Sequence, residues 1–350
     1  MKSLPDGLFQ DTKSLLYLDI GANKLEKIGS KALIGLTQLS HLSLCKNSLI
    51  SLESNVFKDL VALSSIDLSE NSLQTLDSNI FAKSTKLSSI DLANNKLCKM
   101  GSKTFSNQEM LTELWLNGNQ LTHINVKLFK GLHKLRKVNL AENLLSLMDE
   151  KLFDHMTELT FIDLSSNQIK SIDMKQFRKL SKLTDLNLKS NQLEEIEQYS
   201  FENLVNLKLL NLSYNKLTTI DNVFSNLINL RELNLACNNL VSLSNDVFFG
   251  LKNLKRLNLS SNKLKKLQDE QLKDLAEVEI IDLSNNQIKS VNSFYLFKTL
   301  PKLKEIKLEG NQPDKMFLLT VKLLQTFHLI PRNKLVCKGV ASLYPMALAY

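Results

Sequence analysis

The sequence predicts an α/β repeat protein, a curved solenoid of about thirteen turns with a parallel β-sheet on its concave face. The first observation is an asparagine that recurs through the chain, and ten of its twelve spacings are 24 residues. The second is the motif L-x-x-L-x-L-x-x-N-x-L around that asparagine, as in "LSSIDLSENSL" from Leu63 onward. The recurring residues are Asn23, Asn47, Asn71, Asn95, Asn119, Asn143, Asn167, Asn191, Asn215, Asn238, Asn262, Asn286 and Asn311.

The strand of each repeat is predicted from alternation. In "LSSIDL" apolar residues alternate with polar ones, so one face of a short strand is buried and the other meets water. Stacked copies of this strand would pair into a parallel sheet, with neighbouring strands about 4.8 Å apart.

The asparagine and a recurrent phenylalanine complete the repeat. The asparagine is expected to turn inward, because its amide has two donors and an acceptor for backbone groups that the bend leaves unpaired. Asn143→Ala should therefore lower the free energy of unfolding by roughly 1–3 kcal/mol. Asn139→Ala, at an outward position, should change it by no more than about 0.5 kcal/mol. The phenylalanines that recur about ten residues after the asparagine are expected to stack as a spine on the convex side: Phe57, Phe81, Phe105, Phe129, Phe153, Phe177, Phe201, Phe224, Phe248 and Phe297.

These motifs resemble the leucine-rich repeat family, in its "typical" 24-residue subclass. The resemblance runs from about Leu4 to Gln312 and implies a horseshoe-shaped solenoid. Toll-type receptor ectodomains and secreted immune and adhesion proteins belong to this subclass. The resemblance therefore implies a recognition module, although one repeat scaffold hosts many kinds of partner.

The two ends differ from the family's secreted members. Residues 1–312 are predicted to be the solenoid, which begins in the middle of a repeat at "LPDGLF". Residues 313–350 are predicted to be a cap-like segment without the cysteine pair that the resemblance would imply. An amphipathic helix could cover the last repeat there with Phe317, Leu318, Val321, Leu324 and Leu329. We interpret the chain as a fragment or a cap-poor isoform of an extracellular protein.

Composition and motifs exclude several classes of function. The longest apolar run, Met316 to Ile330, contains Lys322 and is shorter than the roughly 20 residues of a membrane span. A net charge of +8 is modest for 350 residues and does not indicate nucleic-acid binding. Phosphate-cradling, zinc-protease and paired-cysteine motifs are missing, so the sequence predicts neither an enzyme nor a cofactor or metal site.

The candidate site follows from the outward position at the centre of each strand, which is Asp or Asn in ten of thirteen repeats. Trp115 interrupts this column, and its neighbours Leu114 and Leu116 should point into the core, which sends the indole outward. Outward tryptophans are favoured as interface anchors, although single exposed aromatics also occur without a role. The predicted ligand-binding patch comprises Glu113, Trp115, Arg136, Lys137, Phe161, Asp163, Leu209 and Tyr214.

Charge on the outward positions supports a protein ligand or co-receptor. Acidic residues predominate in the first five repeats and basic residues in the next six, a bipolar pattern that suits a folded partner better than a long polyanion. Two glycosylation sequons begin at Asn211 and Asn258. Two hypotheses remain at this point: an extracellular or cell-surface recognition module, and an intracellular scaffold or regulatory subunit in the cytoplasm.

Overall fold

The computed structural model describes residues 2–289 and 299–312. The expected cap-like segment 313–350 and the last spine residue, Phe297, lie outside the described residues. The chain forms two compact units. The first comprises Met1–Ile169 with Lys175–Leu183, and the second comprises Lys170–Met174 with Thr184–Tyr350.

The first unit is a solenoid with one main parallel sheet. Its seven three-residue strands are β2 (Tyr17–Asp19), β4 (His41–Ser43), β5 (Ser65–Asp67), β7 (Ser89–Asp91), β9 (Glu113–Trp115), β10 (Lys137–Asn139) and β11 (Phe161–Asp163). Two minor parallel pairs join β1 (Ser3–Leu4) to β3 (Lys27–Ile28) and β6 (Thr75–Leu76) to β8 (Lys99–Met100). A short 3₁₀ helix covers Val126–Phe129.

The second unit repeats this architecture. Its main parallel strands are β13 (Asp185–Asn187), β15 (Leu209–Asn211), β16 (Glu232–Asn234), β17 (Arg256–Asn258), β18 (Ile280–Asp282) and β19 (Glu305–Lys307). A minor pair joins β12 (Ser171–Ile172) to β14 (Glu195–Ile196), and one helical turn, α1, covers Asp269–Leu272. In both units equivalent residues of successive repeats pair directly, as Ser65 does with Ser89. The predicted parallel-strand solenoid is confirmed.

Leucine side chains and the phenylalanine spine fill the interior. The central strand residues Ile66, Ile90 and Leu114 are buried, as alternation predicted. Phe57 and Phe81 stack with their ring centroids 6.0 Å apart. All nine spine phenylalanines from Phe57 to Phe248 are fully buried. Within each unit, neighbouring repeats therefore stabilise one another through apolar contact, as nearest neighbours in a solenoid do.

The inward asparagines form the expected ladder. The Nδ2 group of Asn143 donates to the carbonyls of Leu116, Leu140 and Ala141, at 3.0–3.1 Å. Its Oδ1 accepts the N–H of Leu121 at 3.0 Å. Two of these four bonds reach the preceding repeat, so the amide both closes its own bend and joins neighbouring turns.

The outward Asp and Asn column also has a structural role, which the sequence argument missed. All ten of its side chains accept a hydrogen bond from the backbone N–H two residues later, at 2.8–3.1 Å: Asp19, Asp67, Asp91, Asn139, Asp163, Asn187, Asn211, Asn234, Asn258 and Asp282. The next residue has a left-handed backbone, as at Glu142 with φ of 55°. Asn139 thus lies on the outward face, as alternation predicted, but it also closes its own loop, so a stability cost larger than the expected value of about 0.5 kcal/mol follows from its bond to Ala141.

Within the part of the chain that the structure describes, no helix has both the length and the apolar character that a membrane crossing requires.

Candidate protein-binding face

Trp115 lies on the exposed face of the first unit's main sheet. Its neighbours Leu114 and Leu116 are fully buried, so strand alternation places the indole on the opposite side, where it is half-buried. An indole has one N–H donor and no acceptor. Trp115 therefore cannot accept a hydrogen bond from the backbone N–H of Asn117. The Asp and Asn side chains at the equivalent position of ten other repeats do accept this bond.

The partial burial of Trp115 comes from an aromatic neighbour two strands away. The rings of Trp115 and Phe161 lie with their centroids 6.4 Å apart and their planes tilted by 46°. β10 runs between their strands, so the two rings meet above it. Tilted pairs at this separation are attractive beyond their buried area. The contact forms an apolar centre on a part of the sheet face where the neighbouring outward side chains are polar.

Charged residues surround the two rings. Lys137 is in register with both Glu113 and Phe161, and its Nζ lies 3.0 Å from the Oε1 of Glu113. Asp163 accepts the N–H of Ser165 and so is held by its own loop. Glu113 and Lys137 are both substantially exposed, so their ion pair contributes little stability and is available to a partner.

Arg136 lies at the rim of a shallow depression at the beginning of these strands. Its guanidinium forms no ion pair among the described residues, whereas Lys182 contacts Glu158 at 2.6 Å. The depression has a volume of about 470 Å³ and is lined by Thr112, Glu113, Arg136, Lys137, Glu158, Thr160 and Lys182. Sequence reasoning missed Glu158 and Lys182 because each lies three residues before its strand, outside the outward strand positions. The available signal was an acid and a base at the same repeat position, 24 residues apart.

The structure thus brings together six of the predicted residues on β9, β10, β11 and the segment before β10. We call Glu113, Trp115, Arg136, Lys137, Phe161 and Asp163 the first-unit patch. The other two predicted residues, Leu209 and Tyr214, belong to the second unit. Leu209 begins β15 and is 40% exposed. Tyr214 has a left-handed backbone with φ of 57°, and the Lys189 Nζ lies 5.3 Å from its ring centroid.

The two sequon asparagines end β15 and β17. Asn211 Oδ1 accepts both the N–H and the hydroxyl of Ser213, and Asn258 Oδ1 accepts the N–H of Ser260. These bonds engage the carbonyl oxygen and leave the amide nitrogen, where a glycan attaches, out of that contact.

Acidic residues on adjacent strands do not gather into a metal centre. Over residues 2–289 and 299–312, no three His, Cys, Asp or Glu side chains are placed to hold a metal ion. Burial raises the pKa of Asp91, the N–H of Ala93 opposes this, and the charges of Asp67 and Glu70 add to the increase.

Comparisons with known proteins agree with this architecture. A family model described as "BspA type Leucine rich repeat region" matches residues 2–120 and 99–231, and a "Leucine rich repeat" model matches 228–288 and 253–312. A search of curated proteins found no match.

Three solved structures have similar folds. A chain of the glycosylated Toll–Spatzle complex of Drosophila gives a TM-score of 0.82 at 24% identity, over 93% of this chain and 45% of that one. The leucine-rich repeat domain of APL1B gives a TM-score of 0.75 at 25% identity, over 94% of this chain and 90% of that one. TLR13 in complex with ssRNA13 gives a TM-score of 0.60 at 23% identity, over 89% of this chain and 57% of that one. The present chain spans less than half of the Toll-complex chain that it matches.

Proposed function

This chain belongs to the leucine-rich repeat family, and we propose that it is a non-catalytic protein-recognition module that binds a partner through the first-unit patch. The observation that carries the proposal is the aromatic pair of Trp115 and Phe161 on the exposed sheet face. The solenoid has no need of Trp115 at this position, because Asp or Asn at the equivalent position of ten repeats closes the following loop. Loss of that hydrogen bond costs about 0.5–1.5 kcal/mol.

The surroundings of the rings fit an interface anchor. Binding energy concentrates in a few aromatic and arginine side chains that lie inside a rim of polar residues. The patch has Trp115 and Phe161 at its centre, with Arg136, Lys137 and Glu113 around them. Charged rim residues steer the orientation of a partner more than they add affinity.

The proposal places the protein outside the cell or on its surface, as part of a receptor or a secreted immune or adhesion protein. The sequons at Asn211 and Asn258 support this location. The fold similarity to a Toll–Spatzle complex and to the LRIM1/APL1C complex, which are assemblies of proteins, supports a protein partner. The alternative, an intracellular scaffold or regulatory subunit, would carry no glycan. We propose a protein ligand rather than a nucleic acid, although the similar fold of TLR13 accommodates single-stranded RNA.

A capture experiment tests the recognition role. Wild-type protein, Trp115→Ala and the matched control Phe249→Ala, which alters an exposed aromatic of the second unit, would be immobilised and exposed to fluid from the source organism. We expect one partner that wild type and control retain and that Trp115→Ala loses, with binding of the purified partner weakened by about 2 kcal/mol or more. A partner retained equally by all three proteins would contradict the proposed site.

A second experiment tests whether the two sequons can carry glycans. When the chain is secreted from a eukaryotic host behind an added leader, N-glycosidase should lower its mass. Asn211→Gln and Asn258→Gln should each remove part of that change, because each deletes one acceptor. A protein whose mass does not respond to the enzyme would remove the support that the sequons give to an extracellular location.

A further inference from the structure

Three basic residues form a row at the beginning of the second unit's strands. The N–H of Arg231 donates to the carbonyl of Lys208, and the N–H of Lys255 donates to the carbonyl of Arg231, both at 2.8 Å. The three residues therefore occupy successive steps of one backbone ladder, about 4.8 Å apart. All three side chains are exposed. We call Lys208, Arg231 and Lys255 the basic row.

The same repeat position has a structural role in most repeats of the first unit, where it carries a hydroxyl except at Leu16 and Arg136. Ser64 Oγ donates to the carbonyl of Ser40 at 2.8 Å, and Ser88 Oγ donates to that of Ser64 at 3.0 Å. Thr112 continues the series with a bond of 2.9 Å to the carbonyl of Ser88. Lys and Arg at this position replace a hydroxyl that braces neighbouring repeats, and like charges on adjacent strands repel. The solenoid itself gains nothing from the basic row.

The charge of the row is largely uncompensated within the described residues. Lys208 and Arg231 form no ion pair there, and Lys255 Nζ is 3.8 Å from the carboxylate of Glu279. Glu279 is the next residue of the ladder and also pairs with Lys304. The row is therefore a positive segment about 10 Å long that ends at an acid.

Apolar side chains accompany the row. Leu209 follows Lys208 and lies on the exposed sheet face, while Val205 and Ile228 precede Lys208 and Arg231 by three residues and are also exposed. A sulfated polysaccharide would leave these apolar groups without partners, and any long polyanion would meet Glu279 after the third basic residue. Carboxylates with neighbouring apolar side chains satisfy both features.

We propose that the basic row is a second interaction surface, which binds an acidic segment of a protein partner whose apolar residues contact Leu209 and its neighbours. This surface goes beyond the proposed function, because it belongs to the second unit and does not involve Trp115. Its carboxylate partners would relieve the repulsion along the row, and the binding should weaken as salt screens the charges.

The test uses fluorescence anisotropy with labelled probes and the full chain. The probes are a short Glu-Glu-Leu repeat peptide, a matched Glu-Glu-Ser peptide, oligothymidylate DNA and heparin. We expect Glu-Glu-Leu to bind most tightly. The Lys208→Glu, Arg231→Glu, Lys255→Glu variant should lose about tenfold or more in affinity for it.

A control variant separates a defined site from general attraction to a basic protein. Lys58→Glu, Lys83→Glu and Lys130→Glu together make the same change in net charge at exposed positions of the first unit. This variant should keep its affinity within about twofold, and Trp115→Ala should leave peptide binding unchanged even if the first-unit proposal fails. Equal losses in both triple variants, no peptide binding by wild type, or tighter binding of DNA or heparin through the row would overturn the proposal.

Discussion

The indole of Trp115 and the phenyl ring of Phe161 meet above a strand to which neither belongs, with their centroids 6.4 Å apart. Each ring shields part of the other from water. The exposure of Trp115 is therefore set by a residue 46 positions later in the chain, and it changes when that residue changes.

Phe161→Ala should make Trp115 more accessible. Trp115 is the only tryptophan in the chain, so its emission can be read without interference. We expect a red shift and stronger quenching by acrylamide in the variant, because the phenyl ring that covers the indole is removed. The control Phe249→Ala should change neither quantity. Unaltered quenching in Phe161→Ala would show that the two rings are not in contact in solution.

The missing acceptor at Trp115 predicts an order of stability. Trp115→Asn and Trp115→Ala both lose the contact with Phe161, but only Asn restores an acceptor for the N–H of Asn117. The Asn variant should therefore be more stable by about 0.5–1.5 kcal/mol in denaturant unfolding. Equal stability of the two variants would mean that the loop after β9 does not use this bond.

Two asparagines four residues apart should differ in their effect on stability. Asn143→Ala removes four buried hydrogen bonds and should cost roughly 1–3 kcal/mol or more. Asn139→Ala removes the half-exposed side-chain oxygen that accepts the N–H of Ala141, and it should lower the free energy of unfolding by about 0.5–1.5 kcal/mol. Asn139→Asp keeps an acceptor there and should largely avoid this loss. Chemical denaturation measures all three, and a larger loss at Asn139 than at Asn143 would contradict the ladder.

Asp91→Asn should stabilise the protein at neutral pH. Asn keeps the acceptor for Ala93 and removes a charge that is half-buried and close to Asp67. Because the folded state raises the pKa of Asp91, ionisation is less favourable there than in the unfolded chain. The resulting penalty is present above the folded pKa and disappears as the pH falls below the usual value of about 3.9.

The thermal unfolding of wild type and Asp91→Asn should therefore differ by a few degrees at most near pH 7 and converge in acid. The control Asp163→Asn replaces a carboxylate whose register partner on β10 is the neutral Asn139. Asp163→Asn should therefore raise the unfolding temperature at pH 7 by less than Asp91→Asn does. A gap between wild type and Asp91→Asn that widens in acid would reverse the assigned sign.

Periodicity was sufficient to predict the repeat, the buried strand face, the asparagine ladder and the phenylalanine spine, because each depends on residue type at a fixed spacing. The orientation of Trp115 followed from alternation alone. The loop bonds of residues such as Asn139 were missed, because an outward side chain can still bend back to its own backbone. The contact between Trp115 and Phe161 was also missed. Strand register shows which residues are paired, but it does not show whether two side chains extend far enough to touch across the strand between them.

The ladder bonds also determine how the protein should respond to tension. Asn262 donates to the carbonyl of Leu235 and accepts the N–H of Leu240, so each turn is fastened to the one before it by the same few bonds. A force applied to the two ends of either unit would detach one terminal turn at a time rather than rupture the whole unit. Each event would release about 24 residues, roughly 80 Å of extended chain, and the molecule would lengthen in nearly equal increments.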